Sequence, residues 1–175
     1  GGTAIALQLG HRRSIDFDLF TESEFDSLQI RQKIRRENKI QQTIIESQYE
    51  LTILVDGVKL TFYRYPYHLD YIERLENIIS LPNLETLAAM KAFALGRRAK
   101  WKDYVDLYFL MQKLGFASVV AASTALFGDE FNEKLFRSQL TYLEDIDYSE
   151  AVDYLVKNPP TNEEVVSFLS EQAIS

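Results

Sequence analysis

Along Ile15–Leu19 apolar and acidic positions alternate, with Ile15, Phe17 and Leu19 on one side and Asp16 and Asp18 on the other. A period of two belongs to a β-strand, so Ser14–Phe20 reads as one. Ahead of it, Ala4–Leu9 is apolar and closes at Gly10, the pattern of a short helix with a glycine C-terminal cap. His11, Arg12 and Arg13 connect the two. Behind the strand, Thr21-x-x-Glu24 has capping-box spacing and predicts a helix from Thr21 to about Glu37, with Phe25 and Leu28 facing inward. Ile40–Ser47 then reads as a strand. Tyr49–Val55 and Val58–Tyr65 flank Asp56-Gly57, a strong two-residue hairpin signal. Pro66 ends the second arm, and Ile78–Leu81 is a further short strand.

From Asn83 the period lengthens. Leu84, Leu87, Ala88 and Lys91 share one helix face. Gly96 and a basic cluster interrupt, and a second helix is predicted over Trp101–Leu114, with Leu107, Leu110, Met111 and Leu114 as its core stripe and Gly115 as its stop. Helical segments are expected around Ser118–Phe127, Glu130–Leu143 and Ser149–Val156. Thr161-x-x-Glu164, after Pro159-Pro160, is another helix-opening capping box. The expected class is α+β: a sheet module over residues 1–82 and a helical part over 83–175 packed on it as one compact unit.

Composition narrows the function classes. The chain has 175 residues and is 46% apolar, enough to bury a core. Without cysteine it has no disulfide or thiolate metal site, and His11 and His68 cannot make a zinc site alone. No apolar run approaches the roughly 20 residues of a membrane-spanning helix, and no signal peptide is visible, so a cytoplasmic protein without a membrane partner is expected. The net charge of −7 argues against a general nucleic-acid coat. Yet Arg31–Lys39 and Arg97–Lys102 are basic, while the chain from Asp129 on is acidic. A basic patch can bind triphosphate or an RNA backbone. A solvated surface is the plainer reading, and the preferred one for Arg31–Lys39.

Two stretches carry candidate chemistry. Alternate strand residues are about 6.5–7 Å apart, so Asp16 and Asp18 can converge on one or two Mg²⁺ ions; a half-exposed strand shows the same alternation. The glycine pair upstream adds weight, because backbone N–H groups at a glycine turn entering a helix can hold phosphate oxygens. Together they suggest a nucleoside triphosphate site. The second stretch is Lys91–Asp106. On one unbroken helix Lys91 and Asp103 would stand about 18 Å apart and rotated by about 120°. The break at Gly96–Lys100 lets two helices meet and can bring both to one pocket. Asp103 lies four residues before Leu107 on the inward face, in the first helical turn where the dipole favours a carboxylate, with Asp106 beside it. Such an acid needs a partner: a metal, Lys91, Arg98 or Lys102. A helix-start acid paired to Arg98 or Lys102 and an active-site acid remain equal readings at this level.

Taken together these motifs resemble the AbiEii/AbiGii toxin family of nucleotidyltransferases. The resemblance rests on Gly1-Gly2-Thr3 and His11-Arg12-x-Ser14-x-Asp16-x-Asp18-Leu19-Phe20, then Tyr65-Pro66-Tyr67, Ala89-Met90-Lys91, Arg98 and Lys102-Asp103-x-x-Asp106-Leu107-Tyr108. It covers about residues 1–112. It implies a polymerase-β-like fold, a mixed sheet backed by helices with a helical C-terminal half. It implies an enzyme that transfers a nucleotidyl group from an NTP to an acceptor hydroxyl, with pyrophosphate leaving; some members are toxins that modify tRNA and are neutralised by a separate antitoxin protein. Carried over by position, Gly1, Gly2 and Thr3 would contact triphosphate, with Ser14 and Arg98 in the nucleotide site. Asp16 and Asp18 would hold Mg²⁺, as one ion or two, and Lys91 would meet phosphate charge. Asp103 would complete the acidic site or orient Lys91.

Two departures qualify that expectation. The wider superfamily places a third carboxylate on a neighbouring strand, and the candidate strand Lys59–Tyr65 has none; either Asp103 substitutes or the two-metal mechanism is impaired. Family members also carry a strand and helices before the glycine motif, which makes a truncated reading frame with poorly held Gly1 and Gly2 an expectation. The alternative is therefore a catalytically weak or inactive member that acts as a binding component of a toxin–antitoxin pair. A sugar-nucleotide Asp-x-Asp site is a third reading, but it wants an alternation of strands and helices that this chain lacks.

Overall fold

The computed structural model describes residues 1–76 and 78–174, with Ile72 and Glu73 described by their backbone alone. In chain order the elements are α1 (Gly2–Leu9), β1 (Phe17–Thr21), α2 (Ser27–Ile34), β2 (Ile40–Glu46), β3 (Glu50–Val55), β4 (Val58–Arg64), β5 (Tyr71–Leu75), β6 (Ile79–Pro82), α3 (Leu84–Leu95), α4 (Trp101–Leu114), α5 (Phe116–Phe127), α6 (Glu133–Thr141) and α7 (Asn162–Ile174). The class is α+β. The chain divides into two units: one holds Gly1 and Ser14–His68, the other Gly2–Arg13 and the chain from Leu69 on.

The first unit is a four-stranded mixed sheet in the order β1-β4-β3-β2. β4 runs parallel to β1 and antiparallel to β3. Asp56 and Gly57 turn the β3–β4 hairpin with φ of 49° and 82°, the left-handed pair of a type I′ turn, which matches strand twist. Leu51, Ile53 and Val55 are the buried residues of its core, with Ile30, Ile34, Ile40, Leu60 and Phe62 packed around them.

Three local expectations change here. β1 starts at Phe17 rather than Ser14, so Asp16 precedes the strand and Asp18 lies in it. Ile15 and Phe17 are exposed while Asp16, Asp18 and Leu19 are half-buried, so the acids are the more sheltered residues only at the start of the alternation. Thr21 ends β1 instead of opening a helix: its carbonyl accepts the Tyr65 N–H, and its hydroxyl accepts the Ser23 N–H. Asp26 caps α2 five residues later, accepting the N–H groups of Leu28 and Gln29 at 2.8 and 3.1 Å. That later start turns the inward face to Ile30 and Ile34 and leaves Leu28 54% exposed. Arg31 of the basic cluster pairs with Glu46 at 2.6 Å.

The second unit is helical, with the β5–β6 hairpin attached. Its core joins Ile5 of α1, Leu87 and Ala88 of α3, Leu107 and Leu110 of α4, Phe136 of α6 and Leu169 of α7. α3 and α4 have the expected faces. Gly115, at φ 82°, ends α4, and α5 departs at 107° to it; that backbone conformation favours glycine. α7 opens on a complete capping box, in which the Thr161 N–H donates to Glu164 and the Glu164 N–H to the Thr161 hydroxyl. No single helix among the described residues is long and apolar enough to cross a membrane.

The Ser149–Val156 helix does not form. Its segment is irregular, and the loop His11–Arg13 takes two of its backbone groups. The Arg13 N–H donates to the Asp153 carbonyl at 2.8 Å and the Leu155 N–H to the His11 carbonyl at 3.0 Å. Just upstream, Trp101 N–H donates to the Asp147 carbonyl, and Asp147 N–H to the Ala99 carbonyl. The C-terminal segment thus pins both loops that carry candidate residues, His11–Arg13 and the α3–α4 break. The basic residues of that break are also placed: Lys100 and Lys102 both pair with Glu150, whose carboxyl they hold down at about 2, the Lys100 hydrogen bond first. Arg97 lies over the Phe93 ring at 4.0 Å.

Candidate functional site

In the first unit the parallel register sets Thr61 beside Asp18 and Tyr63 beside Phe20. Lys59 reaches Asp16 twice: its backbone N–H donates to Oδ1 at 3.2 Å, and its ammonium lies 3.1 Å from Oδ2. Asp18 has no ion pair or hydrogen bond within this unit. Instead Gly1 lies against it, so closely that a Cβ on Gly1 would overlap the carboxylate. Only a glycine allows that approach. Phe20, Tyr63 and Tyr65 follow on, their rings meeting edge-on or tilted at 5.2–6.2 Å.

Among the described residues, no group of three or more acidic or histidine side chains converges as a metal cage. The donor set available is therefore two carboxylates, Asp16 and Asp18. That set fits a Mg²⁺ ion, which is commonly held by one or two carboxylates with phosphate oxygens and water completing its shell.

The second unit holds Gly2, Thr3, Lys91, Arg98 and Asp103. α3 ends at Leu95 and α4 begins at Trp101, and the break closes the distance that a continuous helix would impose. Lys91 Nζ lies 2.6 Å from Asp103 Oδ1 and 3.0 Å from Asp106 Oδ2. Arg98 donates to Asp103 Oδ2 at 3.0 Å, with its side chain 53% exposed. Asp103 is buried in the first turn of α4 and paired to Lys91 and Arg98 together. Lys102 is not its partner.

The centre of this cluster is a residue the motif reading left outside the site. Asp106 is fully buried. Arg12 grips it with a fork, Nε to Oδ1 at 2.7 Å and Nη2 to Oδ2 at 2.9 Å. His11 Nε2 lies 2.8 Å from Oδ1. An ionised carboxylate only accepts, so this nitrogen carries the proton. His11 Nδ1 is buried without a hydrogen-bond partner. Burial raises the Asp106 carboxyl pKa, but Lys91, His11 and Arg12 outweigh it and hold it well below the usual carboxylate range. Burial likewise lowers the Lys91 pKa, and Asp106 and Asp103 more than reverse that, so it stands above an ordinary lysine. Arg12 behaves the same way. All three groups are therefore charged at neutral pH.

Gly2 opens α1 directly on this network: a Cβ there would stand 2.7 Å from Arg12 Nη2. His11 and Arg12 lie some ninety-five residues from Asp106 in sequence. All three stand in the motif stretches that carry the family resemblance, but nothing local in the sequence gives them a role in the site. Of the residues singled out in sequence, Gly1, Ser14, Asp16 and Asp18 lie in the first unit and Gly2, Thr3, Lys91, Arg98 and Asp103 in the second.

Comparison with known proteins bears on what these clusters serve. An uncharacterised protein of Aquifex aeolicus (strain VF5) is 38% identical over 120 residues, which is 66% of this chain and 58% of that relative's length. This chain therefore spans less than two thirds of that relative. The family described as "Nucleotidyl transferase AbiEii toxin, Type IV TA system" matches over residues 1–168. That span takes in the glycine opening, the Asp16/Asp18 strand, both residues of the Lys91–Asp103 pair and most of α7, and by it the chain belongs to the AbiEii nucleotidyl transferase toxin family.

Proposed function

We propose that this chain transfers a nucleotidyl group from an NTP to an acceptor hydroxyl, with Mg²⁺ bound at Asp18, beside Asp16. The acceptor oxygen forms a bond to the α-phosphorus as the bond to pyrophosphate breaks. Such a displacement is governed by positioning and charge neutralisation. Mg²⁺ would supply charge neutralisation at the phosphate oxygens. Asp18 presents its carboxylate, and Gly1 keeps the space beside it clear of a side chain. In the second unit Arg98 carries an exposed guanidinium, and Asp103 and Asp106 hold the Lys91 ammonium. Asp103 pairs with both cations. Lys91, Arg12 and Arg98 outnumber Asp103 and Asp106, a balance that suits an anionic ligand.

The observation that carries this reading is Asp18, a half-buried carboxylate without an ion pair in its unit, set against a glycine with no room for a side chain. The family relationship supports toxin-type nucleotidyl transfer with a cognate antitoxin as partner. A tRNA acceptor belongs to the same proposal. The pairing of Asp16 with Lys59 favours a second reading, an inactive member that works by binding. Equilibrium binding of each NTP with and without Mg²⁺ separates them: Mg²⁺-dependent binding that is lost in Asp18→Asn is expected, and binding indifferent to both the ion and the substitution would overturn the proposal.

A further inference from the structure

Asp16 and Asp18 are not equivalent. Both oxygens of Asp16 are engaged by one residue of the adjoining strand, Oδ1 by the Lys59 N–H and Oδ2 by the Lys59 ammonium. Asp18 has neither contact. In a parallel pair, residues in register share a face, and alternate residues along a strand return to it. Asp18 is in register with Thr61, so Thr61 and Lys59 lie on the acid-bearing face of the sheet. What β4 supplies there is the Lys59 ammonium and the Thr61 and Tyr63 hydroxyls, and no carboxylate. Two divalent ions held close together need several anionic ligands to offset their mutual repulsion. Asp16 and Asp18 beside the Lys59 ammonium leave one net negative charge, which suits a single divalent ion; Glu50 of β3, on the same face, accepts from the Thr52 hydroxyl.

We infer that Lys59 is a built-in cation of this site. It occupies at Asp16 the place a second divalent ion would take, so that the chain binds one ion, on Asp18, and Asp16 acts as a positioning residue that holds Lys59 beside it. This rests on the reading of Asp18 as the metal-binding carboxylate. The lysine ammonium is a fixed charge that needs no free metal, so the site depends on a single ion-binding step. A guanidinium at the same position preserves the charge, and a neutral amide removes it.

The test is Mn²⁺ binding to the full chain without nucleotide, followed by the electron paramagnetic resonance signal of the free ion. Circular dichroism confirms that each variant is folded. Wild type and Lys59→Arg should bind one ion with similar affinity. Lys59→Gln should bind the first ion about tenfold more tightly, or take up a second, because a nearby positive charge has been removed. Asp18→Asn should bind none. Two ions on wild type, or an unchanged affinity and stoichiometry in Lys59→Gln while Asp18→Asn binds none, would overturn the role of Lys59 and leave Asp18 as the ligand. Equal Mn²⁺ binding by wild type and Asp18→Asn would remove the metal site itself, and the inference with it.

Discussion

Lys91 Nζ and Asp103 Oδ1 lie 2.6 Å apart although they belong to different helices. The pair exists because α3 stops at Leu95, and α4 starts afresh at Trp101. Lys91 also reaches Asp106, so one buried ammonium holds two carboxylates that lie on the same helix surface. Removing it leaves Asp103 with Arg98 alone and Asp106 with Arg12 and His11, and takes the shared charge from between them. Lys91→Met should lower the unfolding free energy by about 3–5 kcal/mol, the usual range for breaking a buried ion pair. Urea denaturation near neutral pH measures this, and a loss under about 1 kcal/mol would show that the cluster does not depend on Lys91. Nucleotide binding by this variant has meaning only under conditions where it is folded.

Asp106 makes the same cluster sensitive to acid. Its folded carboxyl lies below the ordinary value of 3.8. A depressed carboxyl contributes stability that is fully present above the unfolded value and lost as pH falls through the folded one. The advantage of wild type over Asp106→Asn should therefore be level from neutral pH down to about 4 and should shrink below that. Unfolding curves for both proteins across this range give the answer directly. A difference that already narrows between neutral pH and about 5 would assign the stabilisation to another group.

Gly1 offers a local test of the first unit. Gly1→Ala places a methyl group where the Asp18 carboxylate now lies. The carboxylate must move, while the sheet core of Leu51, Ile53 and Val55 is untouched. Mn²⁺ affinity should fall by about tenfold or more, equivalent to at least about 1.4 kcal/mol, with little change in melting temperature. Unaltered affinity would mean that the close approach of Gly1 has no bearing on metal binding.

The sequence announces what depends on neighbours in sequence. Asp56-Gly57, the bounds of α4 and the Thr161 capping box each carry their own chemistry, and each appears as read. The α+β class follows from the change of period near Asn83. Thr21-x-x-Glu24 has equally good capping chemistry, but pairing across β1 and β4 claims Thr21 first, and Asp26 caps the helix instead. Ser149–Val156 has helical periodicity and loses it to hydrogen bonds with His11 and Arg13. The site shows the same division. Lys91, Arg98 and Asp103 are legible because a short interruption between two helices brings them together. The Asp106 fork from Arg12 and the Asp16 pairing with Lys59 join residues ninety-four and forty-three positions apart, and no periodicity reports such contacts.

Nucleotidyl transfer itself can be observed. The most direct measurement incubates the purified chain with Mg²⁺, each radiolabelled NTP in turn and total tRNA, beside an Asp16→Ala/Asp18→Ala double variant. Label entering RNA with the wild-type chain and not with the variant is the predicted result, and it names the nucleotide. Absence of transfer together with absence of Mg²⁺-dependent NTP binding would contradict the account and leave a protein that works by binding alone.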